Sequence, residues 1–252
     1  MRLDAATFLL QWASGGLAFL WFTLRRNEIS LGYSKLLRAV YGSLALLGVA
    51  AGFYFDQVLI REIAGCIVAL IAFATFAKKS ARFDLVAVAI GTLGLIAAVF
   101  ANGDAGLVDL LRVLVGAAFL GAITDLMLLG HWYLVQPGMT RKLLNELTNA
   151  VLVLWPLEIL VMILPTGMLS VLNGTIDDGY NGLLTWFWVM CAVTTIGLII
   201  TTRLALRVHS SAQKGHITNA RDFNRVLKRQ EKTRRCAFFW FHIQQIVTIK
   251  FG

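Results

Sequence analysis

Two carboxylic acids lie inside long apolar runs, where a charged group is costly. Asp125 falls in the run GAITDLMLLG, and Glu158 falls in the run VLWPLEILV. Within hydrocarbon, an ionisable side chain is strongly unfavourable unless it is paired, neutral or hydrated. A structural hypothesis makes each one a neutral carboxyl that is hydrogen-bonded to a neighbouring helix. A functional hypothesis places both acids on a path for protons or cations.

Helix geometry predicts that these two acids lie at similar depths, in the cytoplasmic half of the protein. Asp125 follows Gly121 by four residues, so both share one face of a helix. A short basic connection follows this helix, so the helix that carries Glu158 is expected to be its antiparallel neighbour. Pro156 removes a backbone donor and frees the carbonyl of Leu152. The pattern therefore predicts a small polar cavity beside Glu158.

His131 is a second candidate for chemistry, in the segment GHWY at the end of the Asp125 run. Three interpretations of His131 are open: an interfacial histidine without chemistry, a proton relay or quinone contact, and a haem or metal ligand. Trp132 and Tyr133 are typical of membrane-interface anchors, and Tyr133 is also a candidate ligand contact beside His131. A haem would need another ligand such as Met162, because the other histidines all lie in residues 208–252.

Seven apolar runs must position these residues. About 20 helical residues cross a bilayer core, and only helices or closed barrels satisfy their backbone groups in lipid. The runs lack the alternation of barrel strands. They predict an all-α, polytopic membrane helix bundle with about seven transmembrane helices. The predicted helices are 6–24, 36–54, 57–77, 84–101, 106–131, 149–171 and 182–204.

Charge between the runs predicts the orientation. Lys and Arg flank the first, third and fifth connections, whereas acids mark the second, fourth and sixth. Cytoplasmic loops are rich in Lys and Arg, so the N-terminus is expected outside and the C-terminus in the cytoplasm. The first run is longer than the 7–15 apolar residues of a signal peptide, so we expect it to be retained. The predicted location is a plasma or inner membrane.

The chain is predicted to divide into a transmembrane domain, 1–207, and a basic cytoplasmic tail, 208–252. From Arg203 onward there are eleven Lys and Arg against two acids, and the whole chain carries a net charge of +9. Such a tail beside a membrane favours anionic lipid over nucleic acid as its partner. Residues 208–235 predict a surface helix or a disordered segment. The apolar stretch 236–249 is short for a span, so it predicts an interfacial segment or a truncated eighth helix.

Small residues predict how the helices pack, because close approach drives association in lipid. Pairs four residues apart occur at Gly48 and Gly52 and at Gly94 and Ala98. The longest stripe, residues 117–122, lies in the Asp125 run. That run is therefore predicted to be the central, most enclosed helix.

The sequence contains no phosphate-binding glycine loop, no nucleophile elbow and no paired metal-binding cysteines. A non-catalytic subunit or scaffold of a larger membrane complex is the first functional hypothesis, with other membrane subunits as partners. A small transporter or proton- or cation-conducting protein that uses Asp125 and Glu158 is the second. A redox subunit that contacts quinone or haem near His131 is the third. No motif in the sequence assigns a metal site, and enzymatic activity is left open, with a non-enzymatic role favoured.

Overall fold

The computed structural model describes residues 4–26, 28–55, 57–78, 81–101, 106–136, 141–163, 173 and 183–213. Throughout these ranges the secondary structure is helical, without a strand, as the sequence predicts. The helices are α1 (Ala5–Leu24), α2 (Leu31–Phe55), α3 (Leu59–Ala74), α4 (Arg82–Phe100), α5 (Leu107–Val135), α6 (Lys142–Ile163) and α7 (Leu183–Gln213).

Six of these helices are long and apolar enough to cross a membrane, which identifies a membrane-spanning helical bundle. The exception is α3, which has 16 residues and carries Arg61 and Glu62 in its first turn. α3 ends at Ala74, three residues before the predicted boundary at 77. The apolar runs thus define the bundle, and α3 is its shortest member.

Two helices begin earlier than predicted. The first turns of α6 bury Leu143, Leu147 and Val151, which follow one another at intervals of four residues on one face. This face extends the helix back to Lys142, seven residues before the predicted start at 149. The same effect moves the start of α2 from 36 to Leu31, because Tyr33 and Leu37 are buried. Polar residues occur in both extensions, 31–35 and 142–148, so the apolar runs in the sequence begin later than the helices.

The first helix occupies the centre of the bundle, so the prediction that α5 is the most enclosed helix is wrong. Thirteen of the twenty residues of α1 are buried, and α1 packs against α2, α4 and α5. The cause is the pair Gly15–Gly16, which brings neighbours close on two sides. A Cβ at Gly15 would overlap the carbonyl of Ala117, and one at Gly16 would overlap the ring of Tyr41.

The predicted small-residue faces are nevertheless packing faces. Gly121 of α5 lies against the backbone of Gly15, so α1 and α5 cross with their main chains in contact. Gly48 lies against α1, and Gly94 lies against Ala64 of α3. Each contact joins a glycine to a neighbouring helix, as expected where lipid supplies no hydrophobic drive for association.

The last two described helices form a looser part of the molecule. α6 packs on α5, and α7 packs mainly on α6. Ile199 connects α7 to Phe119 and Val151 in a small apolar cluster. α7 continues to Gln213, beyond the predicted end at 204, and the remainder of the predicted basic tail lies outside the described residues.

Candidate functional site

A fully buried ion pair joins α2 to α4. Arg38 Nε donates to Asp84 Oδ1 at 2.9 Å, and Nη2 donates to Oδ2 at 2.7 Å. Both side chains have an exposed fraction of 0%. This two-bond geometry satisfies both carboxyl oxygens, which is the condition under which a buried ion pair is tolerated.

The same guanidinium also caps the end of α3. Arg38 Nη1 donates to the carbonyls of Thr75 and Lys78, at 2.8 and 2.5 Å. Carbonyls that follow the last turn of a helix have no partner within it, and a cation there also interacts favourably with the helix dipole. Neither Arg38 nor Asp84 was singled out from the sequence. The sequence does place both residues near the cytoplasmic ends predicted for their helices, and this shared position was the available sign that they could pair.

A second charged cluster lies at the opposite end of the bundle. Arg61 donates to Glu62 Oε1 from Nε, at 3.1 Å, and from Nη2, at 2.7 Å. Its Nη1 donates to the side chains of Asp4 and Thr7 at the start of α1. Gly52 makes room for the Glu62 carboxyl, because a Cβ there would overlap it. The sequence analysis missed this cluster because the charges lie at the edge of an apolar run.

Asp125 differs from these paired acids. Its exposed fraction is 0%, and the Tyr41 hydroxyl donates to Oδ1. The Tyr33 hydroxyl donates to the backbone carbonyl of Asp125 at 3.3 Å. Oδ2 is buried and has no hydrogen-bond partner among the described residues. Asp125 is therefore a buried carboxyl with one oxygen satisfied by a neutral hydroxyl and one left open.

The position of Asp125 follows from the close crossing of α1 and α5. Asp125 lies one helical turn after Gly121, which touches Gly15. Gly16, the next residue of α1, accommodates the ring of Tyr41, and this places the Tyr41 hydroxyl at the carboxyl. Small residues on two helices thus bring a tyrosine from a third helix to the acid.

Glu158 lies elsewhere, so the prediction that the two acids share a depth is wrong. A Cβ at Gly116 would lie 3.9 Å from both Glu158 carboxyl oxygens, and Gly116 precedes Asp125 by nine residues on α5. At 1.5 Å per residue this is about 13 Å along the helix axis. The error came from the start of α6, because Glu158 is sixteen residues past Lys142 rather than nine past the predicted start.

Glu158 belongs to a separate polar group formed by three helices. Gln11 Nε2 of α1 donates to the carbonyl of Val113 at 2.7 Å and lies beside Gly116. Arg112 is close enough for its charge to act on the Glu158 carboxyl. Glu158 Oε2 and Arg112 Nε are both buried and lack hydrogen-bond partners among the described residues. Arg112 and Asp109 are 4.0 Å apart.

The two acids are separated by the backbone contact between α1 and α5. Gly15 touches Ala117 and Gly121, which lie between Gly116 and Asp125 along α5. Where helix main chains touch, no water fits between them. The structure therefore places one carboxyl on each side of a closed contact instead of forming one shared cavity.

The predicted site at His131 has a different character. His131 is exposed near the end of α5 and makes no hydrogen bond to the residues that the structure describes. Trp132 Nε1 donates to Ser30 Oγ and to Gln136 Oε1, at 3.1 Å each, and its ring packs against Tyr33. Tyr133 is partly buried. A quinone or haem contact at His131 and Tyr133 stays a prediction.

A shallow groove lies between α1 and α6, near the ends where α1 stops and α6 begins. Phe19, Phe22 and Val153 form its apolar walls, with Glu146 and Asn149 at one end. Arg26 Nη2 lies 2.8 Å from Glu146 Oε1, so the polar end of the groove is an ion pair. The described residues include no cluster of three or more His, Cys, Asp or Glu side chains able to hold a metal ion.

Known proteins give no further guide to this site. No protein-family model, curated protein or solved structure matches the chain.

Proposed function

We propose that the chain is a seven-span protein of a plasma or inner membrane, with its N-terminus outside and its C-terminus in the cytoplasm. Exposed cations support this orientation, because Arg25, Lys78 and Lys142 all lie at connections predicted to be cytoplasmic. α3 adds a seventh span to the six helices that are long and apolar enough to cross. The ion pair between Arg61 and Glu62 compensates the charges near the outer end of α3.

Cysteine labelling tests this topology. In a chain whose native cysteines are replaced, Gln57→Cys and Lys78→Cys place a thiol at each end of α3, and both positions are exposed. A membrane-impermeant thiol reagent added to intact cells is expected to label Gln57→Cys only. Labelling of both positions would show that α3 does not cross, and labelling of Lys78→Cys alone would reverse the orientation.

For this membrane protein we propose reversible binding of a proton or small cation at Asp125 as part of transport. One observation carries the proposal: Asp125 Oδ2 is buried without a partner among the described residues, whereas the equally buried Asp84 is fully paired. Unpartnered buried polar atoms are rare in proteins and require an explanation. A bound proton or cation would satisfy this oxygen, and ionisable groups at membrane depth commonly mark ion pathways.

Glu158 supports the same function from the other side of the α1–α5 contact. It too keeps one carboxyl oxygen without a described partner, and it lies about 13 Å from Asp125 along α5. A closed contact between two such acids is compatible with transport that alternates between faces, and it argues against a continuously open channel. Glu158 would then exchange with the outer face and Asp125 with the cytoplasm.

Flux in vesicles tests this proposal. Purified protein in liposomes that contain a pH-sensitive dye is expected to move protons when a potassium diffusion potential is applied. Asp125→Asn should abolish the flux, Glu158→Gln should reduce it strongly, and Glu28→Gln, at an exposed acid before α2, should leave it unchanged. With Na⁺ gradients and a sodium dye, the same variants test the cation alternative. Wild-type flux of both ions equal to that of empty vesicles would reject the proposal.

A second candidate is a subunit or scaffold of a larger membrane complex, and the position of α7 favours it. Trp186, Met190 and Val193 of α7 are exposed, and α6 is the main neighbour of this helix. Gentle solubilisation followed by mass spectrometry of the purified protein tests this role. Stable partner proteins lost on Trp186→Ala would support it, whereas a pure single chain would count against it.

A further inference from the structure

Three cations gather where α2 begins and where the connection from α3 leads into α4. They are Lys35, Lys78 and Arg82, and the latter two are exposed. Lys35 Nζ lies 5.9 Å from the ring centre of Phe76, and Lys78 Nζ lies 5.1 Å from that of Phe83. Each ammonium group therefore lies over an aromatic face, within the range of cation–π attraction.

The buried Arg38–Asp84 pair fixes the backbone on which this cluster is built. Arg38 donates to the carbonyls of Thr75 and Lys78, so it fixes residues 75–78, which follow α3. Lys35 precedes Arg38 by three residues, so it lies about one turn away on α2. The positions of Lys35 and Lys78 are thus tied to a single buried guanidinium.

No acid in the described parts of α2, α3 and α4 neutralises this cluster. These helices contain Glu62, which is buried at the opposite end, and Asp84, which is engaged with Arg38. Below the cations, Phe76 and Phe83 expose 38% and 46% of their surface, and Leu36 exposes 46%. The cluster therefore combines positive charge with apolar surface on the outside of the bundle.

We propose that Lys35, Lys78 and Arg82 bind the phosphate headgroup of an anionic phospholipid. The exposed aromatic and leucine side chains would contact its acyl chains at the edge of the hydrocarbon, while the cations reach the headgroup. Basic pockets between membrane helices on the cytoplasmic side are suited to such headgroups. The buried Arg38–Asp84 pair holds this site in place.

Native mass spectrometry with mixed lipids tests the site. Protein is equilibrated with phosphatidylglycerol and phosphatidylcholine, and the retained lipids are counted. Lys35→Gln combined with Lys78→Gln is expected to lower the preference for phosphatidylglycerol on the order of 30-fold, because each cation near the membrane surface contributes about fivefold. Arg221→Gln with Lys228→Gln in the tail is the matched control, since it removes the same charge. An equal loss in this control would overturn the proposal.

Chemical labelling gives a local readout that does not depend on total charge. In nanodiscs, an amine-reactive reagent should modify Lys35 and Lys78 more slowly with phosphatidylglycerol than with phosphatidylcholine. Phe83→Leu keeps every charge, and it should weaken protection of Lys78 about 2- to 5-fold. Equal modification in both lipids would overturn the site. Equal protection by inorganic phosphate in detergent would assign it to a soluble anion instead of a lipid.

Discussion

Asp84 and Asp125 are buried to the same degree, with exposed fractions of 0%, but their surroundings are opposite. Asp84 receives two hydrogen bonds from Arg38, so both oxygens and the charge are balanced. Asp125 receives one hydrogen bond from a neutral hydroxyl, and its second oxygen has no described partner. Burial alone therefore does not separate a structural acid from the acid that we propose binds a proton or cation.

The two buried acids differ in how many of their carboxyl oxygens have a hydrogen-bond partner among the described residues. A fully paired acid fixes the protein in one arrangement, because losing either partner leaves a buried charge without compensation. An incompletely paired acid can gain or lose a proton or cation while its neighbours stay in place. The Arg38–Asp84 pair holds α2, α3 and α4 together, and Asp125 is the acid that we propose binds a proton or cation.

Breaking the structural pair should have the largest effect on stability. Arg38→Met leaves Asp84 buried and unpaired, and we expect a loss of about 3–5 kcal/mol in the free energy of unfolding. Denaturation in mixed micelles measures this change. Arg38→Met combined with Asp84→Leu removes both charges and should recover most of the stability. A single variant as stable as the wild type would refute the structural role of the pair.

The crossing that positions Asp125 should rank next. Gly121→Ala introduces a methyl group into the backbone of Gly15, and we expect a loss of about 1–3 kcal/mol in stability. Gly130→Ala on the same helix is the matched control, because nothing lies within 4 Å of an added Cβ there. Equal unfolding midpoints for the two variants would mean that α1 and α5 are not in backbone contact.

The hydroxyl that contacts Asp125 should contribute less to stability. Tyr41→Phe removes one buried hydrogen bond, so the expected loss is about 1 kcal/mol. Tyr54→Phe, at a side chain that is 82% exposed, should be neutral. Because Tyr41 is a positioning residue for Asp125, its removal should also shift the pH dependence of proton flux. An unchanged pH profile with reduced stability would restrict Tyr41 to a structural role.

Asp125 itself should show the smallest effect on stability and the largest on activity. Asp125→Asn preserves size and the ability to accept from Tyr41, so we expect a change below about 1 kcal/mol. Proton flux should nevertheless be lost. The same substitution at the paired acid, Asp84→Asn, should strongly lower the stability of the fold, because it leaves the Arg38 charge uncompensated. A destabilised Asp125→Asn variant with normal flux would reverse the two assignments.

The sequence predicted the helices well because long apolar runs in lipid leave the backbone few alternatives. The seven runs correspond to α1–α7, and the glycine faces are packing faces. The predicted starts of α2 and α6 were too late, because both helices begin with amphipathic turns that precede the apolar runs. The prediction of the central helix was wrong because a stripe of small residues indicates close packing but not how many helices pack around it.

The candidate site was predictable only in part. Asp125 and Glu158 stand out in the sequence because they interrupt apolar runs, but their separation depended on where α6 begins. The tyrosines at Asp125 come from α2, 84 and 92 positions away in the chain. Such long-range contacts follow from how helices cross, and no local pattern specifies the crossing. The Arg38–Asp84 pair was missed for the same reason, because its two residues lie 46 positions apart in the chain.

Infrared difference spectroscopy during a pH change detects protonation of carboxyl groups, so it shows whether Asp125 binds a proton. Wild type, Asp125→Asn and the control Asp109→Asn are compared in lipid. We predict a carboxyl band that appears and disappears with pH in the wild type, persists in Asp109→Asn and is absent from Asp125→Asn. A band that persists unchanged in Asp125→Asn, or no pH-dependent band in the wild type, would contradict the assignment of Asp125 as the proton-binding residue.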